Sequence, residues 1–376
     1  MTRVLIAGVS TRGFAESAAR AGYDVLAVDG FGDLDLRARV QSVSVARHGG
    51  RFSIRAAVVA ARKLRADVVC YVGSFENHPH GVAALADGRL LWGNRPSVLA
   101  AVRDPVRLAR ALRTRGFSTP AVRVTAPRAG TARAGRWLVK PRASGGGSGV
   151  APWRRGPLPR GSYLQQRVAG TAGSIVFAAD GQRALALGVS RALAGDPAFG
   201  ADGFRYCGSM LVAPEEPLFG HACRLAAAVT DAFGLVGVNG IDFVARRGVP
   251  YAVEVNPRYC ASMELVERAC GMSIFQLHAR ACGGDLPAAA LTVPGAALLG
   301  KAILYARSDV VPTDTAHWLE DDDVRDVPPP GERIGRGHPI CTVFARGRTI
   351  AQCGAALAVR ARALYRSLET RSERIA

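Results

Sequence analysis

Long apolar runs are missing from this sequence of 376 residues. No stretch approaches the roughly 20 apolar residues that a membrane-spanning helix requires. The short run at residues 4–8 (VLIAG) leads directly into a turn and a helical pattern, so it resembles a first β-strand more than a signal peptide. We therefore expect a cytoplasmic protein that does not act on membranes.

Cysteine pairs and histidine clusters with metal-ligand spacing are also missing. The eight cysteines are scattered along the chain, and none lies in a Cys-x-x-Cys pair. This spacing excludes a disulfide scaffold and a zinc ribbon, and free thiols fit a reducing compartment. The sequence shows no Ser/His/Asp or Cys/His nucleophile set, and Cys207 and Cys260 are expected to be core thiols.

Lysine is scarce, since only three of the 49 basic residues are lysines: Lys63, Lys140 and Lys301. The net charge of +19 would ordinarily indicate a nucleic-acid partner. However, the positive charge is spread along the chain without a block of like charges, which favours a solvated basic surface. Because arginine is the default cation here, a lysine indicates a position that needs a compact charge.

Residues 1 to about 100 have the alternating pattern of a small doubly wound α/β domain. Strand patterns at 4–9, 23–28 and 68–72 alternate with helical patterns at about 14–21 and 54–65. The turn between Gly8 and Gly13 lacks the complete dinucleotide fingerprint. Asp29 could hold a ribose, but a structural role in capping a loop is favoured.

The remaining chain predicts two further units, at residues 101–285 and 286–376. Asp104 and Pro105 suit the start of a helix over 104–115. Further strands are predicted at 137–141, 163–179, 184–189, 238–245, 250–255 and 340–345, and further helices at 218–233, 263–282 and 354–368.

Polar side chains in a predicted β-hairpin indicate a metal site. If its turn is centred on Gly248, Asp242 faces Glu254, and Asn256 lies on the same face as Glu254. Two opposed carboxylates repel each other unless a cation lies between them. Carboxylate and amide oxygens are ligands that Mg²⁺ prefers, so these three residues predict a magnesium site.

A glycine-rich loop follows the strand that carries Lys140. Turns with small side chains allow backbone N–H groups to surround phosphate oxygens, and a lysine adds a point charge. The loop is not a Walker loop, because no Gly-Lys-Ser/Thr follows it. Its candidate phosphate-binding residues are Ser144, Gly145, Gly146, Gly147 and Ser148.

Together these segments resemble the ATP-grasp superfamily of carboxylate–amine and carboxylate–thiol ligases. The resemblance covers about residues 100–285 and is carried by Val-Lys-Pro at 139–141, the glycine loop, Gly-Ile-Asp-Phe at 240–243 and Glu-Val-Asn-Pro-Arg at 254–258. It implies an α/β fold in which two α+β subdomains clasp ATP. A Rossmann-like pre-ATP-grasp domain would precede them at residues 1–100.

The resemblance also implies roles for individual residues. Lys140 would contact the nucleotide phosphates under the glycine loop, and Asp242, Glu254 and Asn256 would hold Mg²⁺ or Mn²⁺. The adenine hinge and the positions beyond it would include Gln166, Arg167, Val168 and Ser174. Arg258 would stabilise the transferring phosphoryl group. Residues 296–346 faintly resemble the closing part of biotin carboxylase-type enzymes. This resemblance implies that Lys301 could reach the site, and the alternative is that Lys301 is an exposed lysine on a strand.

One departure from the family pattern concerns the nucleotide side of the site. Many members carry a nucleotide-binding lysine near the helix at 104–115, where Arg107 is the nearest cation here. The hinge also carries two glutamines where a glutamate often binds the ribose.

The terminal segments at 31–35 and 339–345 resemble a group of uncharacterised predicted ATP-dependent carboligases, distantly similar to tyramine–glutamate ligase.

The function that the resemblance implies is ATP-dependent ligation of a carboxylate to an amine through an acyl phosphate, with release of ADP and phosphate. The expected partners are small-molecule substrates, and a homodimer is allowed for. Two alternatives stay open: a carboligase that activates bicarbonate, and a basic nucleic-acid-binding protein without turnover.

Overall fold

A parallel sheet forms the N-terminal layer of the computed structural model, which describes residues 1–45, 52–127, 135–213, 217–288 and 298–372. Its five strands run in the order β3-β2-β1-β4-β5. They are β1 (Arg3–Ala7), β2 (Asp24–Asp29), β3 (Gln41–Ser44), β4 (Val68–Tyr71) and β5 (Leu90–Leu91). The accompanying helices are α1 (Arg12–Arg20), α2 (Leu34–Arg39), α3 (Ile54–Arg62), α4 (Pro79–Leu85) and α5 (Pro96–Val102). The predicted Rossmann-like arrangement is confirmed, and apolar β1 is buried because helices cover the sheet.

A small antiparallel sheet follows, in the order β6-β9-β7-β8. It is preceded by α6 (Pro105–Thr114) and consists of β6 (Val122–Arg123), β7 (Trp137–Pro141), β8 (Ala151–Pro152) and β9 (Ser162–Gln166). Helix α6 begins as predicted, since the Asp104 carboxylate accepts hydrogen bonds from the N–H groups of Val106 and Arg107 at 2.8 and 3.0 Å. Lys140 lies on the central strand β7.

An eight-stranded antiparallel sheet forms the third layer, in the order β14-β13-β10-β11-β12-β15-β17-β16. Its strands are β10 (Thr171–Asp180), β11 (Ala184–Ala194), β12 (Tyr206–Leu211), β13 (Val236–Arg246), β14 (Val249–Asn256), β15 (Leu298–Tyr305), β16 (Val324–Arg325) and β17 (Pro339–Gly347). The helices of this part are α7 (Pro217–Phe233), α8 (Met263–Cys270), α9 (Ile274–Cys282) and α10 (Ile350–Ser372). The last three strands therefore extend the sheet that carries the predicted metal hairpin.

Two predicted elements are wrong in their extent. The single strand predicted at 163–179 is two strands in different sheets, β9 and β10, because the chain crosses over between Gln166 and Thr171. The single helix predicted at 263–282 is interrupted after α8, where Gly271 adopts a left-handed conformation with φ of 72°. Ser273 then caps α9 by accepting a hydrogen bond from the N–H of Gln276.

An aromatic cluster joins the N-terminal layer to the large sheet. The ring of Phe14 on α1 stacks on Tyr259 at 4.7 Å and contacts Phe275 on α9 at 4.9 Å. Tyr259 lies three residues after the end of β14, so this packing holds the end of the predicted metal hairpin against the first domain. Within the described residues, no helix combines the length and apolar character needed to cross a bilayer.

Candidate active site

The hairpin formed by β13 and β14 places the predicted metal ligands together. Asp242 pairs directly with Glu254 in the sheet register, and the Asn256 amide donates a hydrogen bond to Asp242 Oδ2 at 2.9 Å. The turn contains Arg247 and Gly248, both with positive φ, which matches the right-handed twist of a hairpin. The predicted juxtaposition of the two carboxylates is confirmed, but it does not arise from a turn centred on Gly248. The turn lies at Arg247 and Gly248, and a β-bulge between Asp242 and Phe243 brings Glu254 opposite Asp242.

The two carboxylates have different proton affinities. Burial and the neighbouring Glu254 raise the pKa of Asp242 to about 7. Burial alone would raise the pKa of Glu254 too, but Lys140, Arg103 and Arg258 outweigh it and lower that pKa. Since the two groups compete for one positive counter-charge, a divalent cation can replace the proton between them.

The oxygen ligands of Asp242, Glu254 and Asn256 fit Mg²⁺ better than a metal whose ligands all come from the protein. Two carboxylates and one amide oxygen leave coordination positions for water and phosphate oxygens, as Mg²⁺ prefers. Among the residues that the structure describes, no group of three or more His, Cys, Asp or Glu side chains is arranged to hold a metal. Asp242, Glu254 and Asn256 would hold such an ion together with a phosphate-bearing substrate.

Lys140 lies buried beside this hairpin, with 7% of its surface exposed. Its Nζ donates a hydrogen bond to Gln165 Oε1 at 3.2 Å and lies 6.0 Å from the ring centroid of Tyr163. The Gln165 amide in turn donates to the carbonyl of Val253 at 3.0 Å. Gln165 therefore positions the ammonium group between the small sheet and β14.

The glycine loop bends over the site and contacts the start of β12. The carbonyl of Gly146 accepts a hydrogen bond from the N–H of Tyr206 at 3.0 Å. A Cβ at Gly147 would come within 1.8 Å of the Phe204 carbonyl oxygen, so this approach requires glycine. Ser148 closes the loop by donating its N–H to the carbonyl of Gly145 at 3.1 Å.

A cavity of about 760 Å³ lies between the loop, the small sheet and the hairpin. Most of the predicted site residues line it: Lys140, Gly146, Gly147, Gln166, Arg167, Val168, Ser174, Asp242, Glu254, Asn256 and Arg258. Apolar side chains line it as well, among them Leu138, Val150, Phe243 and Val253. Apolar walls with a polar, charged end suit a ligand that has a flat apolar part and phosphates.

The predicted hinge lies at the wall of this cavity. Gln166 exchanges hydrogen bonds with the backbone of Ala121, and the N–H of Arg167 donates to the carbonyl of Arg136 at 2.8 Å. The hydroxyl of Ser174 lies 3.0 Å from that of Ser190. The hinge is thus held by the residues that precede β6 and β7, and contact of Gln166, Arg167 and Val168 with a base stays a prediction.

Arg258 follows β14 and lies at the metal end of the cavity. Its Nη1 donates to the carbonyl of Tyr259 at 2.9 Å, and its Nη2 lies 3.4 Å from Asn256 Oδ1. Burial opposes the charge of Arg258, but Glu76, Cys260 and Asp242 outweigh it and raise its pKa further. Its guanidinium is therefore a permanent positive charge beside the predicted metal ligands.

Lys301 is a buried strand residue and not the exposed lysine of the alternative interpretation, since 4% of its surface is accessible. Its Nζ donates to Glu264 Oε2 at 2.7 Å and to the Ala261 carbonyl at 3.2 Å. Lys301 thus supports the loop that follows Arg258 from behind. Asp29 has the predicted structural role, because its carboxylate accepts hydrogen bonds from Thr11, Phe31 and Gly32.

Three residues at this site are absent from the sequence-based prediction. Arg103 lies with Nη1 3.5 Å from Glu254 Oε2, and Asn77 and Glu76 contact Arg103 and Arg258 respectively. Arg107, the nearest cation named from the sequence, is exposed. A basic residue at the end of α5 was a weak signal, because arginine is common throughout this chain.

Comparisons with known proteins agree with this geometry. The model of the ATP-grasp domain family matches residues 102–262. The L-amino acid ligase of Bacillus licheniformis superposes with a TM-score of 0.67 at 16% identity, covering 98% of this chain and 97% of that one. The N5-carboxyaminoimidazole ribonucleotide synthetase of Thermotoga maritima has a TM-score of 0.67 at 17% identity, covering 96% and 98%.

Other matches cover less of the related protein. Pyruvate carboxylase of Rhizobium etli superposes with a TM-score of 0.72 at 13% identity, covering 94% of this chain but 36% of that one. An uncharacterised protein of Methanocaldococcus jannaschii is 27% identical over 118 residues, which is 31% of this chain and 28% of that relative. Residues 102–262 therefore match the ATP-grasp domain family, and the chain as a whole shares its fold with the superposed L-amino acid ligase and N5-carboxyaminoimidazole ribonucleotide synthetase.

Proposed function

We propose that this chain is an ATP-dependent carboxylate–amine ligase that works with Mg²⁺, for which Mn²⁺ can substitute. The observation that carries this proposal is the pairing of Asp242 with Glu254 across a hairpin at the charged end of the cavity. Lys140, the glycine loop and Arg258 surround the same end. Both substrates besides ATP would be small molecules, because the cavity must also accommodate the nucleotide.

In the first step of the proposed reaction, a carboxylate oxygen of the substrate attacks the terminal phosphorus of ATP, and the bond to ADP breaks. Lys140 holds a positive charge on the phosphates, and Arg258 balances the charge on the transferring group. Bound Mg²⁺, held by Asp242, Glu254 and Asn256, would neutralise negative charge that develops on the phosphate oxygens. The product of this step is an acyl phosphate and ADP.

In the second step, the amine attacks the carbonyl carbon of the acyl phosphate, the C–N bond forms and phosphate leaves. The amine nitrogen loses a proton to water or to the departing phosphate as the amide forms. Arg258 balances charge on the departing phosphate, since it faces the cavity next to the hairpin. The other contribution of the protein is to hold the two reactants in place beneath the glycine loop.

The choice of an amine as acceptor is supported by the match to an L-amino acid ligase over nearly the full length of both chains. A bicarbonate-activating carboligase is the second candidate, favoured by the superposition on pyruvate carboxylase. Formation of a ¹⁴C-labelled product from labelled bicarbonate, without any other carboxylate present, would support this second candidate. A nucleic-acid-binding protein without turnover is disfavoured, since it would not use the paired carboxylates inside the cavity.

The proposal is tested by ATP-dependent phosphate release in the presence of panels of amino acids and other carboxylates. Glu254→Gln keeps the size of the side chain but removes a metal-binding charge, so we expect turnover to fall by about 100-fold or more. Glu320→Gln, at an exposed position outside the cavity, is the matched control. If Glu254→Gln folds normally and retains both Mg·ATP binding and turnover, the proposal is wrong.

A further inference from the structure

A short segment after β4 reaches from the N-terminal layer to the candidate active site. It includes Ser74, whose φ is 86°, and a single 3₁₀ turn over Phe75–Asn77. A positive φ at a residue with a side chain costs conformational energy, so the surrounding contacts must hold this backbone in place. The two polar residues of the turn, Glu76 and Asn77, each contact a different arginine near the cavity.

Glu76 is the ion-pair partner of Arg258. Its Oε1 accepts a hydrogen bond from Arg258 Nε at 3.0 Å and also lies 3.0 Å from Nη2. Only 1% of Glu76 is exposed, and its second oxygen, Oε2, has no hydrogen-bond partner among the described residues. Because Glu76 does not line the cavity, its interaction with Arg258 comes from behind and fixes the direction of the guanidinium.

Asn77 holds the second arginine and the glycine loop at once. Its Oδ1 accepts hydrogen bonds from Nη2 and Nε of Arg103 at 2.8 and 3.2 Å. Its Nδ2 donates to the carbonyl of Ser144, at the start of the loop, at 3.3 Å. Arg103 Nη2 donates to the same carbonyl at 3.3 Å.

Arg103 extends this network to the hairpin. Its Nη1 donates to the carbonyl of Val255 at 2.9 Å and lies 3.5 Å from Glu254 Oε2. The guanidinium of Arg103 thus connects Asn77, the glycine loop and the metal-binding strand β14. Arg103 does not itself line the cavity, so it acts on the site through Glu254 and the glycine loop.

We infer that Glu76 and Asn77 are positioning residues through which the N-terminal domain sets two cations: Arg258, which lines the cavity, and Arg103, which contacts Glu254 and the glycine loop. Glu76 orients the charge that meets the transferring phosphoryl group. Asn77 orients the charge that links the loop over the nucleotide to Glu254. The two roles are separable, because each side chain contacts one arginine, and the inference rests on the proposed function.

The test measures two affinities of the full chain, for Mg·ADP alone and for Mg·ADP with aluminium fluoride, which imitates the transferring phosphoryl group. Calorimetry measures both affinities, and neither measurement requires the carboxylate substrate to be known. For Glu76→Gln we expect Mg·ADP affinity within about twofold of wild type, but about a tenfold loss of the gain that aluminium fluoride produces. For Asn77→Ala we expect Mg·ADP binding itself to weaken about tenfold.

Two further variants separate positioning from general structural damage. His80→Ala alters an exposed residue shortly after the same turn and is expected to leave both affinities unchanged. Glu76→Asp retains the charge on a shorter side chain, so its loss of the fluoride-dependent gain is expected to be smaller than that of Glu76→Gln. If Glu76→Gln does not fold, Glu76→Asp is compared directly with wild type, with about a threefold loss expected for its shortened reach.

The inference is overturned if folded Glu76→Gln keeps the full fluoride-dependent gain, or if Asn77→Ala binds Mg·ADP like wild type. If Glu76→Gln does not fold, the inference is overturned when Glu76→Asp keeps the full fluoride-dependent gain of wild type. Equal losses of both affinities in Glu76→Gln would also contradict it, because the two roles would not be separable. A wild-type chain that fails to bind Mg·ADP contradicts the proposed function itself, and this outcome is visible before any variant is made.

Discussion

Asp33 carries a carboxyl group in an unusual environment. Only 5% of the residue is exposed, and its Oδ2 has no hydrogen-bond partner among the described residues. Burial is the main cause of its raised pKa, with Asp326, Asp29 and Asp35 adding to the effect against Arg12. The folded chain therefore keeps a proton that the unfolded chain releases once the pH exceeds about 4.

From this shift we predict that Asp33→Asn stabilises the protein more at pH 8 than at pH 4. A raised folded-state pKa gives stability at low pH that is lost as the pH rises through that pKa, and asparagine removes this loss. The gain in the free energy of unfolding from Asp33→Asn should therefore be larger at pH 8 than at pH 4. Urea unfolding of both proteins at each pH measures it, and equal differences at the two pH values would contradict the prediction.

Lys140 offers a second test at the level of a single residue. It is one of three lysines in an arginine-rich chain, and it is buried between Gln165 and Tyr163. We predict that Lys140→Met weakens Mg·ADP binding about tenfold or more, because the phosphates lose a charge-assisted contact. Lys140→Arg should also weaken binding, since a planar guanidinium does not fit the space of a compact ammonium group.

The control for Lys140 is Lys63→Met, which removes another of the three lysines at an exposed position. Its Mg·ADP affinity should equal that of wild type. If Lys140→Arg binds Mg·ADP as tightly as wild type, the requirement for a compact charge is wrong, even if Lys140→Met fails to bind.

At the level of elements, the glycine loop is matched to the start of β12. Gly147 has a φ of 76° and would place a Cβ against the Phe204 carbonyl, whereas Gly145 has open space at the same position. We predict that Gly147→Ala prevents the loop from docking on Tyr206 and raises the KM for ATP about tenfold. Gly145→Ala should have a much smaller effect, and phosphate-release kinetics compare the two.

Some of these elements could be predicted from local patterns in the sequence, and others could not. The β13–β14 hairpin was found from its alternating pattern and Gly248, because its residues are close in sequence. Its turn alone would pair Asp242 with Val253, and a β-bulge between Asp242 and Phe243 brings Glu254 opposite Asp242. The break between β9 and β10 was missed, because the local pattern is strand-like on both sides and only sheet membership separates them. The position of Gly271 decided the break between α8 and α9, and a single glycine in a helical pattern is ambiguous.

At the level of the whole molecule, Arg12 connects three distant parts of the chain. Its side chain is 2% exposed and contacts Glu16 on α1, Glu264 on α8 and Asp326 near β16. Burial opposes the charge of Arg12, but these carboxylates outweigh it and raise its pKa. Glu264 also binds Lys301, so the network extends to the loop behind Arg258.

We predict that Arg12→Leu lowers the free energy of unfolding by about 3–5 kcal/mol, because it leaves buried carboxylates without their counter-charge. Arg3→Leu, which removes an exposed ion pair with Asp24, should change it by less than about 1 kcal/mol. Urea unfolding compares the two variants. Equal effects would show that the Arg12 network does not hold the parts together.

The sequence by itself determined the α/β class, the helix start at Asp104 and the β13–β14 hairpin, because these depend on local periodicity, capping and turn geometry. Only the tertiary structure decided which residues orient the cations. Glu76 and Arg258 are 182 residues apart, and Arg12 and Asp326 are 314 apart. Contacts of this kind arise where whole domains meet, and no local pattern in the sequence encodes which buried charge will find which partner.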